Sequence, residues 1–218
     1  MENIIIMEEM AMIDIHCHLI FGVDDGSKSI EESISVLKGL ADYGYTDIIL
    51  TPHYISDSIY CSTKKQNMVI LKKIEEALQQ KKIKLNLYLG NEVFIDYHIL
   101  SLLKEGKIST LNNSQYLLIE LPMSGEFEGY EEVFMELIAN GYQVILAHPE
   151  RYLTFQKDFN KVYELVKLGI LFQFNLNSII GNYFQQKYMS ISNICQFNVT
   201  KRPLLVLATV CVNHFTSF

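Results

Sequence analysis

The stretch "MIDIHCHLIFGVDDG", from Met12 to Gly26, places two histidines one residue apart and follows them with two aspartates. Imidazole nitrogens and carboxylate oxygens are common ligands of Mn, Fe and Zn in proteins. Alternate side chains of an extended strand point to the same face, so His16 and His18 can bind one cation together. This stretch indicates a metal site if the rest of the chain supplies further ligands at the same place.

Residues of the same types recur where four later strands are expected to end. His53 follows "TDIILTP", Glu92 follows "KLNLYLGN", Glu120 follows "QYLLI" and His148 follows "YQVILA". One histidine at a strand end is a weak signal, but the carboxyl ends of parallel strands form a single rim where active sites are built. The sequence therefore predicts one multinuclear metal site rather than an all-oxygen calcium site. Its expected ligands are His16, His18, Asp25, His53, Glu92, Glu120 and His148.

Short apolar strands and amphipathic helices alternate along the chain. We expect helices over residues 30–44, 64–80, 97–104, 130–140 and 158–169, and Ser29 with Glu32 forms a capping-box pattern before the first. We expect strands over 46–53, 84–92, 115–122, 142–150 and 170–177, besides the opening strand. This alternation predicts an α/β fold of parallel βα units, and about seven such units can close into a distorted (β/α)7-type TIM-like barrel.

Composition limits the function classes. The 218 residues fit one domain without a linker, and the net charge of −7 argues against a nucleic-acid partner. No apolar run is long enough to insert into a membrane, and the acidic N-terminus lacks the positive region of a secretory signal. The four cysteines show no CxxC spacing. We therefore expect a cytoplasmic protein with reduced cysteines.

Two other kinds of site fit the opening stretch poorly. "GVDDGSKS" nearly matches the phosphate-binding loop GxxxxGK[ST], but Ser27 replaces the second glycine and two aspartates would repel the phosphate. A cysteine phosphatase needs an arginine shortly after its thiolate, and Val23 stands six residues after Cys17. The metal site remains the better interpretation.

The motifs "MIDIHCHLIFGVDDG", "IILTPHY", "GNEVF", "YLLIELP" and "LAHPERY" occur in this order between Met12 and Asn177. As a set they resemble the bacterial PHP-domain, manganese-dependent protein-tyrosine phosphatases of capsule and exopolysaccharide biosynthesis. The resemblance implies a barrel of the PHP superfamily that holds up to three Mn²⁺ ions, with Fe or Zn as alternatives. It also implies hydrolysis of phosphotyrosine on the tail of a bacterial tyrosine kinase by a water that the metals activate.

The resemblance further implies a role for each site residue. The first metal would take His16, His18 and Glu92, the second Glu92, Glu120 and His148, and the third Asp25 and His53. Arg151 and His148 would be catalytic, with the Arg151 guanidinium on the substrate phosphate. A surface arginine paired with Glu150 or Asp158 is the alternative for Arg151. We expect Asp14 to support a ligating imidazole.

The chain departs from the family pattern at its C-terminal end. Family members carry a D-x-H motif on their last strand, and no D-x-H follows His148 here. We expect residues 1–11 to be an N-terminal extension and residues 12–218 a single PHP-type domain whose last roughly 30 residues are atypical and incomplete, for example through a frameshift after about Tyr188. Two alternatives stay open: a PHP phosphatase for a small ester of the histidinol phosphate type, and a catalytically impaired pseudo-phosphatase.

Overall fold

The computed structural model of this chain describes residues 12–175 and the backbone of residues 207–209. Its strands are β1 (Met12–Cys17), β2 (Tyr45–Leu50), β3 (His53–Tyr54), β4 (Asn86–Leu89), β5 (Glu92–Phe94), β6 (Tyr116–Glu120), β7 (Gln143–Ala147), β8 (Leu171–Asn175) and β9 (Leu207–Thr209). Its helices are α1 (Ile30–Asp42), α2 (Lys64–Gln80), α3 (Ile99–Lys104), α4 (Tyr130–Ala139), α5 (Leu153–Lys157) and α6 (Asn160–Lys167). Short 3₁₀ turns cover Leu111–Asn113 and Pro149–Arg151.

All strand pairs in this part of the chain are parallel. One sheet has the order β1-β2-β4 and the other the order β3-β5-β6-β7-β8-β9. Two residues separate β2 from β3, and two separate β4 from β5, so two strands of the first sheet continue into the second after a short break. The predicted α/β fold with parallel strands is confirmed, and β9 lies beside β1.

The strand breaks correct one prediction. His53 and Glu92 do not end their strands but begin β3 and β5, where they are direct partners across the ladder. Proline lacks the N–H that a ladder needs, so β2 ends at Leu50 and the next strand begins only after Pro52. Asn91 stabilises the break, because its side-chain amide donates to the Pro52 carbonyl oxygen at 3.0 Å and its Oδ1 accepts the Ser109 N–H at 2.9 Å.

Helices α1 and α2 begin at side-chain caps, and the cap of α1 is the predicted Ser29. Ser29 Oγ accepts the Glu32 N–H at 3.2 Å before α1, and Thr63 with Gln66 forms a reciprocal capping box before α2. Helix α2 has the predicted bounds, whereas α5 was not expected from the sequence.

The alternation of side chains along the strands separates two kinds of core. In β6, Leu117 and Ile119 pack in a large apolar cluster that includes Phe134 of α4. The intervening Leu118 packs with Ile145 and other residues in a smaller cluster on the opposite face. Since residues two apart share a face, Glu120 follows Leu118 on that inner side. The predicted ligand thus lies at the end of an apolar layer.

Some expectations concern other parts of the chain. The N-terminal extension over residues 1–11 and the atypical, incomplete C-terminal segment lie outside the described residues, apart from β9. The division into one domain stays a prediction. Within the described part, no helix combines the length and apolar character needed to cross a membrane.

The loop between β1 and α1 yields a stability prediction, because a Cβ added at Gly26 would stand 2.2 Å from the His18 carbonyl oxygen. A Cβ at Gly39, inside α1, would meet no atom within 4 Å. We expect Gly26→Ala to lower the free energy of unfolding by roughly 1–3 kcal/mol, and Gly39→Ala to raise it by about 0.5–1 kcal/mol. Urea unfolding followed by circular dichroism measures both, and equal effects would contradict the close approach at Gly26.

Candidate metal centre

The structure brings all seven predicted ligands together around one cavity of about 170 Å³. Strand β1 and the residue after it supply His16 and His18, and β6 ends in Glu120. His148 directly follows β7, with a left-handed backbone (φ 31°) that starts the 3₁₀ turn. The residues that line the cavity are His16, His18, Asp25, His53, Glu92, Glu120, Met123, His148 and Arg151.

Glu92 is the centre of this cluster. Its Oε2 lies 3.0 Å from His16 Nε2, 3.1 Å from His18 Nε2 and 3.3 Å from His53 Nδ1. Its Oε1 lies 2.8 Å from His148 Nε2. A single buried carboxylate therefore contacts four imidazoles, and each of its two oxygens lies close enough to a histidine nitrogen to share a metal ion with it.

The donor atoms fit divalent cations. His16 Nε2 and His18 Nε2 lie 3.1 Å apart. Two nitrogens bound at about 2.1 Å to one ion, at roughly a right angle, would be separated by about 3 Å. The buried Nδ1 of His53 has no hydrogen-bond partner among the described residues, yet it faces Glu92 Oε2 at 3.3 Å and Glu120 Oε2 at 3.7 Å. An ion between these atoms would satisfy all three.

The donors form three groups whose ligand atoms lie within 4.8 Å of one another. The groups are His16, Glu92 and His148; His18, Asp25 and His53; and His53, Glu92 and Glu120. The resemblance instead paired His18 with His16 and placed His148 with Glu120. The structure brings the predicted ligands close together, and both their role as ligands and their distribution among individual ions stay predictions.

Burial and mutual contacts set the charges of the cluster. Burial alone would raise the pKa of Glu92, but His16, His53 and His148 together lower it well below its ordinary value. Burial and the Glu92 charge raise the pKa of Glu120 to about 9. Burial lowers the pKa of His148 to about 4, against the opposing effect of Glu92, so its imidazole is neutral at pH 7. Glu120 is therefore protonated at pH 7 while no cation is bound, and the anionic Glu92 beside the neutral His148 attracts a divalent cation.

Arg151 ends the 3₁₀ turn after His148 and lines the same cavity. Among the described residues it forms no ion pair with Glu150 or Asp158, the partners of the alternative surface arginine. Its location is compatible with contact to a bound anion, and its catalytic role stays a prediction.

Sequence reasoning missed two residues of the site and misplaced a third. Asp14 was expected to support a ligating imidazole, but its Oδ1 accepts the backbone N–H of His16 at 3.0 Å. The imidazole of His18 instead contacts Asp24, and the imidazole of His16 contacts Gln173. The available signal for Gln173 was a polar residue inside the apolar strand "ILFQFN"; for Asp24 it was only adjacency to Asp25.

Glu92→Gln tests the central carboxylate. The substitution keeps the shape of the side chain and removes the charge that four imidazoles surround, so we expect Mn²⁺ to bind at least about tenfold more weakly. Glu76→Gln, on the exposed face of α2, is the control and should bind as the unmodified chain does. Isothermal titration with Mn²⁺ measures both affinities, and an unchanged affinity of Glu92→Gln would contradict the bridging position.

Comparisons with known proteins identify the family of this chain. Residues 12–205 match the family model for capsular polysaccharide synthesis, CpsB/CapC. CapC of Staphylococcus aureus is 35% identical over 207 residues, which cover 89% of this chain and 80% of that protein. The tyrosine-protein phosphatase CpsB of Streptococcus pneumoniae is 27% identical over 201 residues, which cover 91% of this chain and 82% of that protein.

Two solved structures resemble this chain in fold. A chain from the crystal structures of YwqE of Bacillus subtilis and CpsB of Streptococcus pneumoniae, described as unique metal-dependent tyrosine phosphatases, superposes with a TM-score of 0.79 at 26% identity. The superposition covers 91% of this chain and 78% of that chain. A phosphotriesterase homology protein from Escherichia coli shares the fold, with a TM-score of 0.52 at 14% identity. The resemblance is confirmed, and the chain belongs to the CpsB/CapC family of capsular polysaccharide synthesis proteins.

Proposed function

We propose that this chain is a metal-dependent, non-cysteine phosphatase that hydrolyses phosphotyrosine in proteins. The observation that carries the proposal is the buried cluster of four imidazoles around Glu92, with Glu120 and Asp25 in the same cavity. Among the described cysteines, Cys17 is buried and Cys61 is exposed, and neither lines the cavity. The relatives CpsB and YwqE are named tyrosine-protein phosphatases.

The proposal includes finer assignments. Mixed imidazole and carboxylate donors suit Mn²⁺, with Fe or Zn as alternatives, and three groups of donors suit up to three ions. The substrate would be the phosphotyrosine tail of a bacterial tyrosine kinase that controls capsular or exopolysaccharide synthesis, in the cytoplasm. The position of β9 beside β1 supports closure of the sheet into a distorted (β/α)7-type barrel.

The groups around the cavity would have different roles in the reaction. Bound divalent ions would supply positive charge to the phosphoryl group and activate a water for in-line attack. Arg151 would bind the phosphate oxygens, since its planar guanidinium donates two parallel hydrogen bonds to such a group. Met123 is the apolar residue of the lining and is only partly buried. Its thioether suits contact with the phenyl ring of the substrate.

Hydrolysis of a phosphotyrosine peptide tests the function. We expect the chain loaded with Mn²⁺ to release phosphate, a chelator to abolish the release, and His148→Ala to lower kcat/KM at least about a hundredfold by removing a ligand of Glu92's cluster. His98→Ala, which alters an exposed histidine outside the cavity, is the matched control.

The same assay separates the alternatives. Faster hydrolysis of histidinol phosphate than of the peptide would favour the small-ester phosphatase. A chain that binds Mn²⁺ but hydrolyses neither substrate would contradict the proposed catalysis and favour the impaired pseudo-phosphatase.

Arg151→Ala tests contact with the substrate. Loss of a charged donor to the transferring phosphoryl group is expected to lower kcat/KM by about 10²–10³-fold, with Arg151→Lys intermediate because lysine keeps the charge but not the planar fork. Inhibition by inorganic phosphate should weaken in parallel. Lys157→Ala, an exposed cation on α5, is the control for net charge. If Arg151→Ala behaved as this control does, the proposed contact between Arg151 and the substrate phosphate would be wrong.

A further inference from the structure

His16 and His18 each use the ring nitrogen Nδ1 to contact a polar side chain of the protein. His16 Nδ1 lies 2.7 Å from Gln173 Oε1, and His18 Nδ1 lies 2.9 Å from Asp24 Oδ2. The other nitrogen of each ring, Nε2, faces the cavity, where the two Nε2 atoms are 3.1 Å apart. A neutral imidazole carries one hydrogen, so the group opposite Nδ1 decides which nitrogen keeps a lone pair.

The side chain of Asp24 is a hydrogen-bond acceptor. Besides His18, its carboxylate accepts the backbone N–H of His53 at 2.9 Å and that of Gly26 at 3.0 Å. Each carboxylate oxygen thus accepts a backbone N–H, Oδ2 from His53 and Oδ1 from Gly26. The carboxylate therefore has no hydrogen to give, and His18 Nδ1 must be the donor.

Gln173 presents its oxygen to His16 for a separate reason. Its amide Nε2 donates to Asn175 Oδ1 at 2.9 Å, which fixes the orientation of the amide group. The Oε1 atom is then the one that faces His16 Nδ1 and accepts its hydrogen. Gln173 lies on β8 and His16 on β1, so this contact joins distant parts of the sheet.

The contacts on Nδ1 matter because Glu92 competes for the same hydrogen. Glu92 Oε2 lies 3.0 Å from His16 Nε2 and 3.1 Å from His18 Nε2. Without an acceptor at Nδ1, each neutral ring would place its hydrogen on Nε2 and donate it to Glu92. That hydrogen would occupy the lone pair that a metal ion needs.

We propose that Asp24 and Gln173 are positioning residues that hold His18 and His16 with the hydrogen on Nδ1, so that both Nε2 lone pairs face the metal centre. The inference rests on the metal centre of the proposed function but not on its substrate. Asp24 and Asp25 then have different roles, because Asp25 lies on the cavity 3.6 Å from His53 Nε2 and is a candidate ligand.

The position of the hydrogens is measured directly by long-range ¹H–¹⁵N correlation of the histidine rings in the full metal-free chain at about pH 8, where exposed imidazoles are neutral. We expect both rings to carry the hydrogen on Nδ1. In Asp24→Leu the hydrogen of His18 should move to Nε2, and in Gln173→Leu that of His16 should do so. Each variant should bind Mn²⁺ about 10–100-fold more weakly.

Two further variants test whether the effect of Asp24 comes from its hydrogen bond to His18, and not from lost folding or from direct binding of the metal. Asp24→Asn keeps an oxygen that accepts from His18 Nδ1, so it should retain the wild-type tautomer and most of the affinity. Asp25→Asn should weaken Mn²⁺ binding without moving the hydrogen of His18.

The positioning roles are overturned if the hydrogens stay on Nδ1 in both leucine variants, or if these variants bind Mn²⁺ as tightly as the unmodified chain. A chain with the expected tautomers and affinities but no phosphatase activity would support the positioning roles and contradict the proposed function instead.

Discussion

A single buried carboxylate imposes the main constraint on this structure. Glu92 is 1% exposed and contacts four imidazole rings. A carboxylate removed from water is very costly unless partners compensate its charge. Two of the partners lie in strands β1 and β3, and the other two directly follow β1 and β7, so the position of the strand ends relative to one another decides whether the cluster is stable. A divalent cation among these groups would compensate the charge of the buried carboxylate further.

The strands meet this constraint because their alternate side chains pack in separate apolar clusters on the two faces of the sheet. Leu118 and Ile145 fill the inner face below the cluster, and Leu117 and Val144 pack under the helices on the outer face. The polar ligands are thereby confined to the carboxyl end of the sheet. The breaks at Pro52 and before Glu92 serve the same arrangement, since they bring His53 and Glu92 into direct register at that end.

Much of this could be predicted from local sequence. Helix α2 and the strand β6 follow from patterns of a few residues, and His16, Glu120 and His148 were found because strand ends are visible in the sequence. The strand breaks were missed because a run such as "LYLGNEVF" carries apolar residues both before Gly90 and after Glu92, so it reads as one strand. The partners of the rings were missed for another reason. Gln173 is 157 residues from His16, and no local pattern reports a contact over that separation.

The pair Asp24 and Asp25 shows how loop geometry gives different roles to identical side chains. Ser27 N–H donates to the His18 carbonyl at 3.0 Å, and Gly26 packs where a Cβ would meet that carbonyl. This closed loop buries Asp24 against His18 and leaves the side chain of Asp25 half exposed at the cavity. Both residues have the same charge and chemistry, so only the backbone path distinguishes the one that orients a ring from the one that faces the cations. The glycine that permits that path is therefore as much a part of the site as the carboxylates are.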